Sequence, residues 1–184
     1  PGLNLTINDK MSLKVAGTYY DFKNIKGSDM SVWSSKSNSY DKTVKNEGEW
    51  DEKTRYSWSN EYDSTAFDVE FGIKFGPFIE SASAFANYIK SDADSDNTGW
   101  LAGFKFGNEK VTEFGKWQVI YNYRNLEKDA WADWMPDSDF YSGKTGVKGS
   151  EIEATFGLSK NVTFGIDYYM AAPIHNPSKK DQTL

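Results

Sequence analysis

Charged side chains of both signs recur at alternate positions within short runs of mainly apolar and small residues. Without a nucleophile or a cofactor motif beside them, such groups do not indicate catalysis. Rows of side chains with charges of both signs can remain ionised beside a water-filled space, because water solvates them. We therefore predict that they line such a space, while cross-strand ion pairs that stabilise a sheet by about 0.2–1 kcal/mol each are an alternative that can hold together with it. The positions are Lys14, Asp68, Glu70, Lys74, Lys105, Arg124, Glu151, Glu153 and Asp167.

The sequence offers little else for catalysis or for metal binding. Cysteine is absent and His175 is the one histidine, which removes thiol catalysis, thiolate zinc sites and disulfide scaffolds. His175 is followed by Asn176, and outer-membrane lipases use a histidine together with a serine and an asparagine. No recognisable serine motif accompanies His175, so a solvated tail residue is the favoured interpretation. Asp92, Asp94 and Asp96 alternate as in calcium loops, but Asn97 replaces the required glycine and the closing glutamate is missing. We predict no enzyme activity, no metal and no cofactor.

A second group of carboxylates lies in the segment 127–146. Asp137 and Asp139, together with Glu127 and Asp129, make this segment acidic. It can narrow a pore and repel anions, or it can be a solvated external loop, and the sequence leaves both open. The run LEKDAWADWM within it also has helical character.

The composition restricts the classes of protein that can carry these charges. The 184 residues have a net charge of −6, 38% hydrophobic residues and 16% aromatic residues. No run approaches the ~18–20 apolar residues of a transmembrane helix. The aromatic content is too high for a disordered chain of this polarity. A basic face for nucleic acid is missing, so we predict no nucleic-acid partner.

The elements that position the charges are β-strands, because apolar and polar residues alternate with a period of two. In residues 66–75, Phe67, Val69, Phe71 and Ile73 share one face, and Asp68 lies on the other. Most strands have the ~9–11 residues that a tilted strand needs to cross a bilayer. We predict eight strands, at 2–7, 11–21, 66–75, 78–90, 100–106, 117–124, 151–158 and 162–170.

The connections alternate between short turns and long polar segments. Turns lie near Asn8-Asp9, Gly76-Pro77 and 159–161, with a longer link at 107–115, and the long segments are 22–62, 91–98, 127–146 and the tail from Pro173. Outer-membrane barrels have this alternation, and they place Tyr and Trp at the strand ends as here. The aromatics of 22–62 (Trp33, Tyr40, Trp50, Tyr56, Trp58, Tyr62) suggest that this loop folds on itself or into a lumen. A soluble β-sandwich, with its apolar face packed on a second sheet, is the alternative.

Several segments resemble the bacterial putative porins of the Gram-negative outer membrane. They are YNYRNLEKDA (121–130), DSDF (137–140), GKTGVKG (143–149), GLSKNVTFGIDYY (157–169) and the opening segment 3–27, and the run 117–172 resembles the C-terminal part of that barrel. The resemblance covers most of the chain and is weakest in loop 22–62. It implies an antiparallel transmembrane β-barrel of roughly sixteen strands that can form a homotrimer. It supplies no catalytic residues.

We therefore expect residues 1–184 to be one β-barrel segment, incomplete at both ends, with 22–62 as a long loop. The incompleteness is expected because both ends of the eight strands fall on the long-loop side, whereas these barrels keep both on the short-turn side. The first hypothesis is a passive channel for small hydrophilic solutes or ions in the cell outer membrane. Its acidic loops predict a mild cation preference, and membrane lipid or lipopolysaccharide would surround it.

Two other functions remain open at this stage. One is a binding or adhesion module, either a β-sandwich or a plugged barrel, which acts through its aromatic loops. The other is a barrel that surrounds a haem-carrying partner protein.

Overall fold

The computed structural model describes residues 1–30, 37–44, 54–76, 78–175 and 181–183. Within these ranges the chain is all-β, with eleven strands and one short 3₁₀ helix. The strands are β1 (Gly2–Asn8), β2 (Met11–Tyr20), β3 (Tyr40–Val44), β4 (Thr54–Trp58), β5 (Ser64–Lys74), β6 (Ser81–Ser91), β7 (Thr98–Gly107), β8 (Trp117–Leu126), β9 (Val147–Ser159), β10 (Val162–Pro173) and β11 (Asp181–Thr183).

All eight predicted strands are present, and three further strands were missed. β3 and β4 form a hairpin inside segment 22–62, and β11 lies in the tail. The missed strands have five residues or fewer, and β3 and β4 are largely polar. Such runs are too short to show a two-residue period, so the sequence did not indicate these three short strands. The helical expectation for LEKDAWADWM is wrong, because 127–136 forms turns and the 3₁₀ helix spans Tyr141–Gly143.

Nine strands form one antiparallel sheet in the order β1-β2-β5-β6-β7-β8-β9-β10-β11. Neighbours in this sheet are consecutive along the chain, except that the β3–β4 hairpin interrupts the step from β2 to β5. The sheet is open, with β1 and β11 at its edges. The seven strands from β2 to β10 in the sheet have 10 to 13 residues, which is long enough to cross a bilayer at a tilt.

The register gives the sheet one apolar and one polar face. Side chains of paired residues lie on the same face, so each paired row lies wholly on one face of the sheet. One row reads Leu13, Phe71, Ala84, Phe104, Tyr121, Ile152 and Tyr168 from β2 to β10. The adjacent row reads Lys14, Glu70, Phe85, Gly103, Asn122, Glu151 and Tyr169. The predicted alternation, including that of the alanine-rich β6, is therefore confirmed.

No second layer of the described chain covers the apolar face. Phe67 is 59% exposed, Phe164 is 50% exposed and Phe104 is 49% exposed. The buried apolar residues of the sheet instead lie on the polar side near the long loops, as Ala66, Ile89, Val147 and Ala171 do. A contiguous exposed apolar surface of this extent marks a face that meets lipid or a partner. The β-sandwich expectation does not fit the described residues.

Candidate functional site

The nine charged residues predicted to line a water-filled space lie on the polar face of the sheet. Asp68, Glu70, Lys14, Lys74 and Lys105 belong to β2, β5 and β7, towards the β1 edge. The other four belong to β8, β9 and β10, and they are Arg124, Glu151, Glu153 and Asp167. The structure thus brings the predicted residues together as two groups on one surface.

Glu70 is the centre of the first group. Its carboxylate is 3.0 Å from Lys14 Nζ on β2 and 3.6 Å from Lys105 Nζ on β7, so one acid bridges two bases across the face. Asn87 Nδ2 donates to Asp68 Oδ1 at 2.7 Å. Lys74 Nζ lies 3.7 Å from Glu109 in the turn after β7. These partly exposed pairs contribute little to stability, but they keep the surface charged and hydrated.

A recess of about 420 Å³ opens on the polar face towards the short turns. Lys14, Lys74 and Lys105 line it together with Asp9, Glu70 and Glu109, and Lys10 and Lys110 reach it from the turns. Cations predominate at this end of the polar face. The recess can therefore attract small anionic groups by charge.

The second group is more acidic. Arg124 pairs with Glu151, whose Oε2 also accepts a hydrogen bond from Asn122 Nδ2 at 2.9 Å. Glu153 on β9 is directly opposite Asp167 on β10, which places two carboxylates next to each other. Like charges at this spacing repel each other unless water separates them. Carboxylates outnumber cations on this part of the wall.

The segment from Glu127 to Gly146, which we call the inner loop, folds over the polar face. Asp137 Oδ2 is 3.9 Å from Arg124 Nη1, and the Phe140 ring centroid is 4.1 Å from Arg124 Cζ. Phe140 is buried against Val147 and Ala171 of the wall. Asp137 and Asp139 are themselves exposed. The structure therefore places both predicted loop acids above the polar wall.

A hydrogen-bonded core that the sequence did not indicate joins the long loops. Asn38 Nδ2 donates to the carbonyls of Lys128 and Trp131, and Asn38 Oδ1 accepts from Asp133 N. Asp129 accepts hydrogen bonds from Ser39 N and Oγ and from Tyr62 Oη. We call this hydrogen-bonded cluster, which is centred on Asn38 and Asp129, the loop core, and it also includes a bond from Ser91 Oγ to Asp129 O.

Aromatic side chains surround the loop core. Trp58 contacts both Tyr62 and Trp134 edge to face, with ring centroids 5.9 and 5.0 Å apart. Burial raises the pKa of Tyr62, and the charge of Asp129 raises it further. The expectation that 22–62 folds back is confirmed for Trp58 and Tyr62, while Trp33 and Trp50 lie outside the described residues. The hydrogen-bond partners of Asn38 in the loop core lie 90 to 95 positions away along the chain, so no local signal could have identified Asn38.

The other candidate groups remain apart from the polar wall. Desolvation raises the pKa of Asp92, and Asp92, Asp94 and Asp96 are all exposed in the turn after β6. His175 Nε2 lies 3.8 Å from Asp96 and its side chain is 74% exposed. Within the described part of the chain, no group of three or more acidic or histidine side chains is placed to hold a metal ion.

Comparison with known proteins identifies a family for most of this sheet. A sequence model described as putative porin matches residues 53–183, from the segment before β4 to the end of β11. Among curated proteins, no match to the chain was found. The described residues contain no helix that is long and apolar enough to span a membrane.

Proposed function

The chain belongs to the putative porin family, and on that basis we propose that it forms part of the wall of a passive diffusion channel in the cell outer membrane. Family membership supports a porin-like, non-enzymatic transport role and a membrane location. The passing solutes, in this proposal, are small and hydrophilic, either ions or neutral molecules.

One observation carries this proposal, namely that large apolar side chains are exposed on the apolar face of seven strands of the sheet, β1, β2, β5, β6, β7, β9 and β10. A row of large apolar residues with half-exposed rings is costly in water and is stable in hydrocarbon. The opposite face carries charge of both signs and the inner loop. A sheet with lipid on one side and water on the other is the arrangement of a channel wall.

We propose that the nine charged residues of the polar face belong to the wall of the lumen and that the inner loop narrows it. Near the inner loop, Glu153, Asp167, Asp137 and Asp139 give the wall an excess of negative charge. Such a constriction concentrates cations, which gives a mild cation preference. The lysines of the recess are separate from this constriction.

We further propose that the open sheet is part of a larger closed barrel. Backbone groups at an uncovered sheet edge cannot be satisfied in hydrocarbon, so β1 and the β10–β11 edge need further strands or another covering in a membrane. Phospholipid or lipopolysaccharide surrounds the apolar face in this arrangement, and a homotrimer is the proposed assembly.

The test is the conductance of the full-length protein in a planar bilayer. We expect stepwise ion currents and, under a salt gradient, a reversal potential of the sign that cation selectivity gives. Folded protein that inserts and passes no current contradicts the channel, and it favours a plugged barrel in which the loop core binds a partner. Purified protein that is monodisperse without detergent contradicts the lipid-facing surface itself.

A further inference from the structure

We propose that Arg124 is a positioning residue that fastens the inner loop to the channel wall through Phe140. The inference rests on the proposed function, because it assigns Arg124 a role within the same lumen. It differs from the sequence expectation, in which the charge of Arg124 faces the passing solutes. In this proposal the charge of Arg124 is taken up by contacts within the protein. Its effect on transport comes from the position in which those contacts hold the inner loop.

Three contacts use the guanidinium group of Arg124. It pairs with the carboxylate of Glu151 on the neighbouring strand, and its Nη1 is 3.9 Å from Asp137 of the loop. Its Cζ lies 4.1 Å from the centroid of the Phe140 ring, within cation–π distance. The side chain is 18% exposed. A planar cation can pair at its edge and stack on its face at once, which an ammonium group cannot do.

Phe140 is the residue of the inner loop that contacts Arg124. It is 2% exposed and packs against Val147 and Ala171, and its ring centroid is 6.1 Å from that of Tyr169. Val147, Ala171 and Tyr169 all belong to the polar side of β9 and β10. The loop therefore inserts one aromatic ring into the wall, and Arg124 lies against that ring.

The rest of the inner loop is held by other loops and by the adjoining ends of wall strands, where Thr98 of β7 binds Glu127 and Ser91 of β6 binds the carbonyl of Asp129. Asn38 binds the carbonyls of Lys128 and Trp131, and the hydroxyl of Thr145 donates to the carbonyl of Lys128 at 2.6 Å. The acidic stretch 134–139 thus spans from the loop core to Phe140. If the contact between Arg124 and Phe140 is broken, this stretch keeps its attachment to the loop core, and only the pair between Asp137 and Arg124 still holds it to the wall.

The atoms beneath the loop are sealed from solvent. Nε of Arg124 and Oδ1 of Asn122 are buried and lack a hydrogen-bond partner, and Asn122 is 7% exposed. Burial of unpaired polar groups disfavours the position in which the inner loop covers the wall. The packing of Phe140 must therefore outweigh this cost to keep the loop against the wall. This predicts that removal of the ring alone, with no change of charge, releases the loop.

Cysteine accessibility tests the position of the loop independently of transport. The chain has no cysteine, so a thiol reagent labels only the single cysteine that is introduced. Ala171 is 4% exposed beneath Phe140, whereas Thr163 is exposed on the same face of the same strand. In full-length protein in liposomes, we expect a water-soluble thiol reagent to label A171C at least about tenfold more slowly than T163C. Addition of F140A or R124Q should raise the rate at A171C towards that at T163C.

The T163C rate also serves as the folding control. It should be unchanged by F140A and R124Q, and F140L provides a milder variant if F140A does not fold. Fast labelling of A171C with Arg124 and Phe140 intact contradicts the proposal, and so does slow labelling that neither variant accelerates. These rates are measured without any current, so they separate failure of this inference from failure of the channel proposal.

Conductance then links the loop position to transport. F140A and R124Q should both increase single-channel conductance and current noise, although only R124Q changes the charge. R124K keeps the charge but not the stacking plane, so it should resemble R124Q.

K105Q removes the same charge from the same face without contacting the inner loop, and it should alter ion selectivity without the added noise. If R124Q resembles K105Q and F140A has no effect, Arg124 acts as an ordinary lumen charge and the proposal is wrong.

Discussion

An arginine in place of Val69 tests whether the apolar face meets lipid. Val69 lies at the middle of β5, five residues from each end, and is 42% exposed beside Val15 and Ala86. At a rise of about 3.3 Å per residue and a tilt of about 45°, it is about 12 Å below the end of the strand, close to the midplane of the bilayer. An arginine at that depth on the lipid face costs about 2–4 kcal/mol.

The matched control is arginine in place of Thr65. Thr65 belongs to the same strand and the same face, but it is one residue from the end, where the cost falls to about 0–1 kcal/mol. On a sheet face in water, both substitutions should stay within about 0.5 kcal/mol. The difference between the two variants therefore depends on the bilayer and not on arginine itself.

The assay is urea unfolding of the full-length protein folded into phospholipid vesicles. With a slope of about 3 kcal/mol per molar, a loss of about 3 kcal/mol moves the midpoint for V69R down by about 1 M. The midpoint for T65R should move by about a third of that or less. Equal midpoints for the two variants, or a V69R midpoint equal to that of the unsubstituted protein, would refute the assignment of this face to lipid.

Three further predictions concern the lumen and the loops. E70Q should release its two lysine partners and shift the reversal potential towards anions, with D68N as the control on the same face. N38A should leave loop-core groups unsatisfied at about 1–3 kcal/mol each and speed proteolysis of the inner loop, while the strands stay protected. Hydrogen bonds from the backbone amides of Lys26 and its neighbours lower the pKa of Glu61, so its stabilising contribution is present above the ordinary glutamate pKa and is lost as the pH falls through the lowered value. Proteolysis of the backbone around Lys26, which Glu61 holds, should therefore accelerate in acid. The E61Q substitution should remove much of that pH dependence.

The strands and their faces could be predicted because the information is local. The alternation of Phe67, Asp68 and Val69 determines which side each residue occupies, and a one-residue slip in register would place the whole apolar set on the polar face. The positions of Glu70 and Lys105 on one face followed from this alone. Their shared ion pairs did not follow, because they depend on which strands are neighbours.

The loop core and the fastening of Arg124 could not be predicted, because they depend on contacts between distant segments. Asn38 and Asp133 are 95 positions apart, and nothing in their local sequence indicates that they bind each other. Arg124 has the strand position of a lumen charge, and only the placement of Phe140 shows that its guanidinium is covered. Both Asp137 and Phe140 lie in a segment whose turns have no periodic pattern.

A spin-label scan along residues 66–73 of β5 in lipid vesicles tests the orientation of the sheet most directly. Each position is compared for collision with oxygen, which concentrates in hydrocarbon, and with a water-soluble nickel chelate. We expect oxygen accessibility to peak at Phe67, Val69, Phe71 and Ile73, and nickel accessibility to peak at the residues between them. Two profiles that rise and fall together, or nickel accessibility at Val69, would contradict a wall with lipid on one side and water on the other.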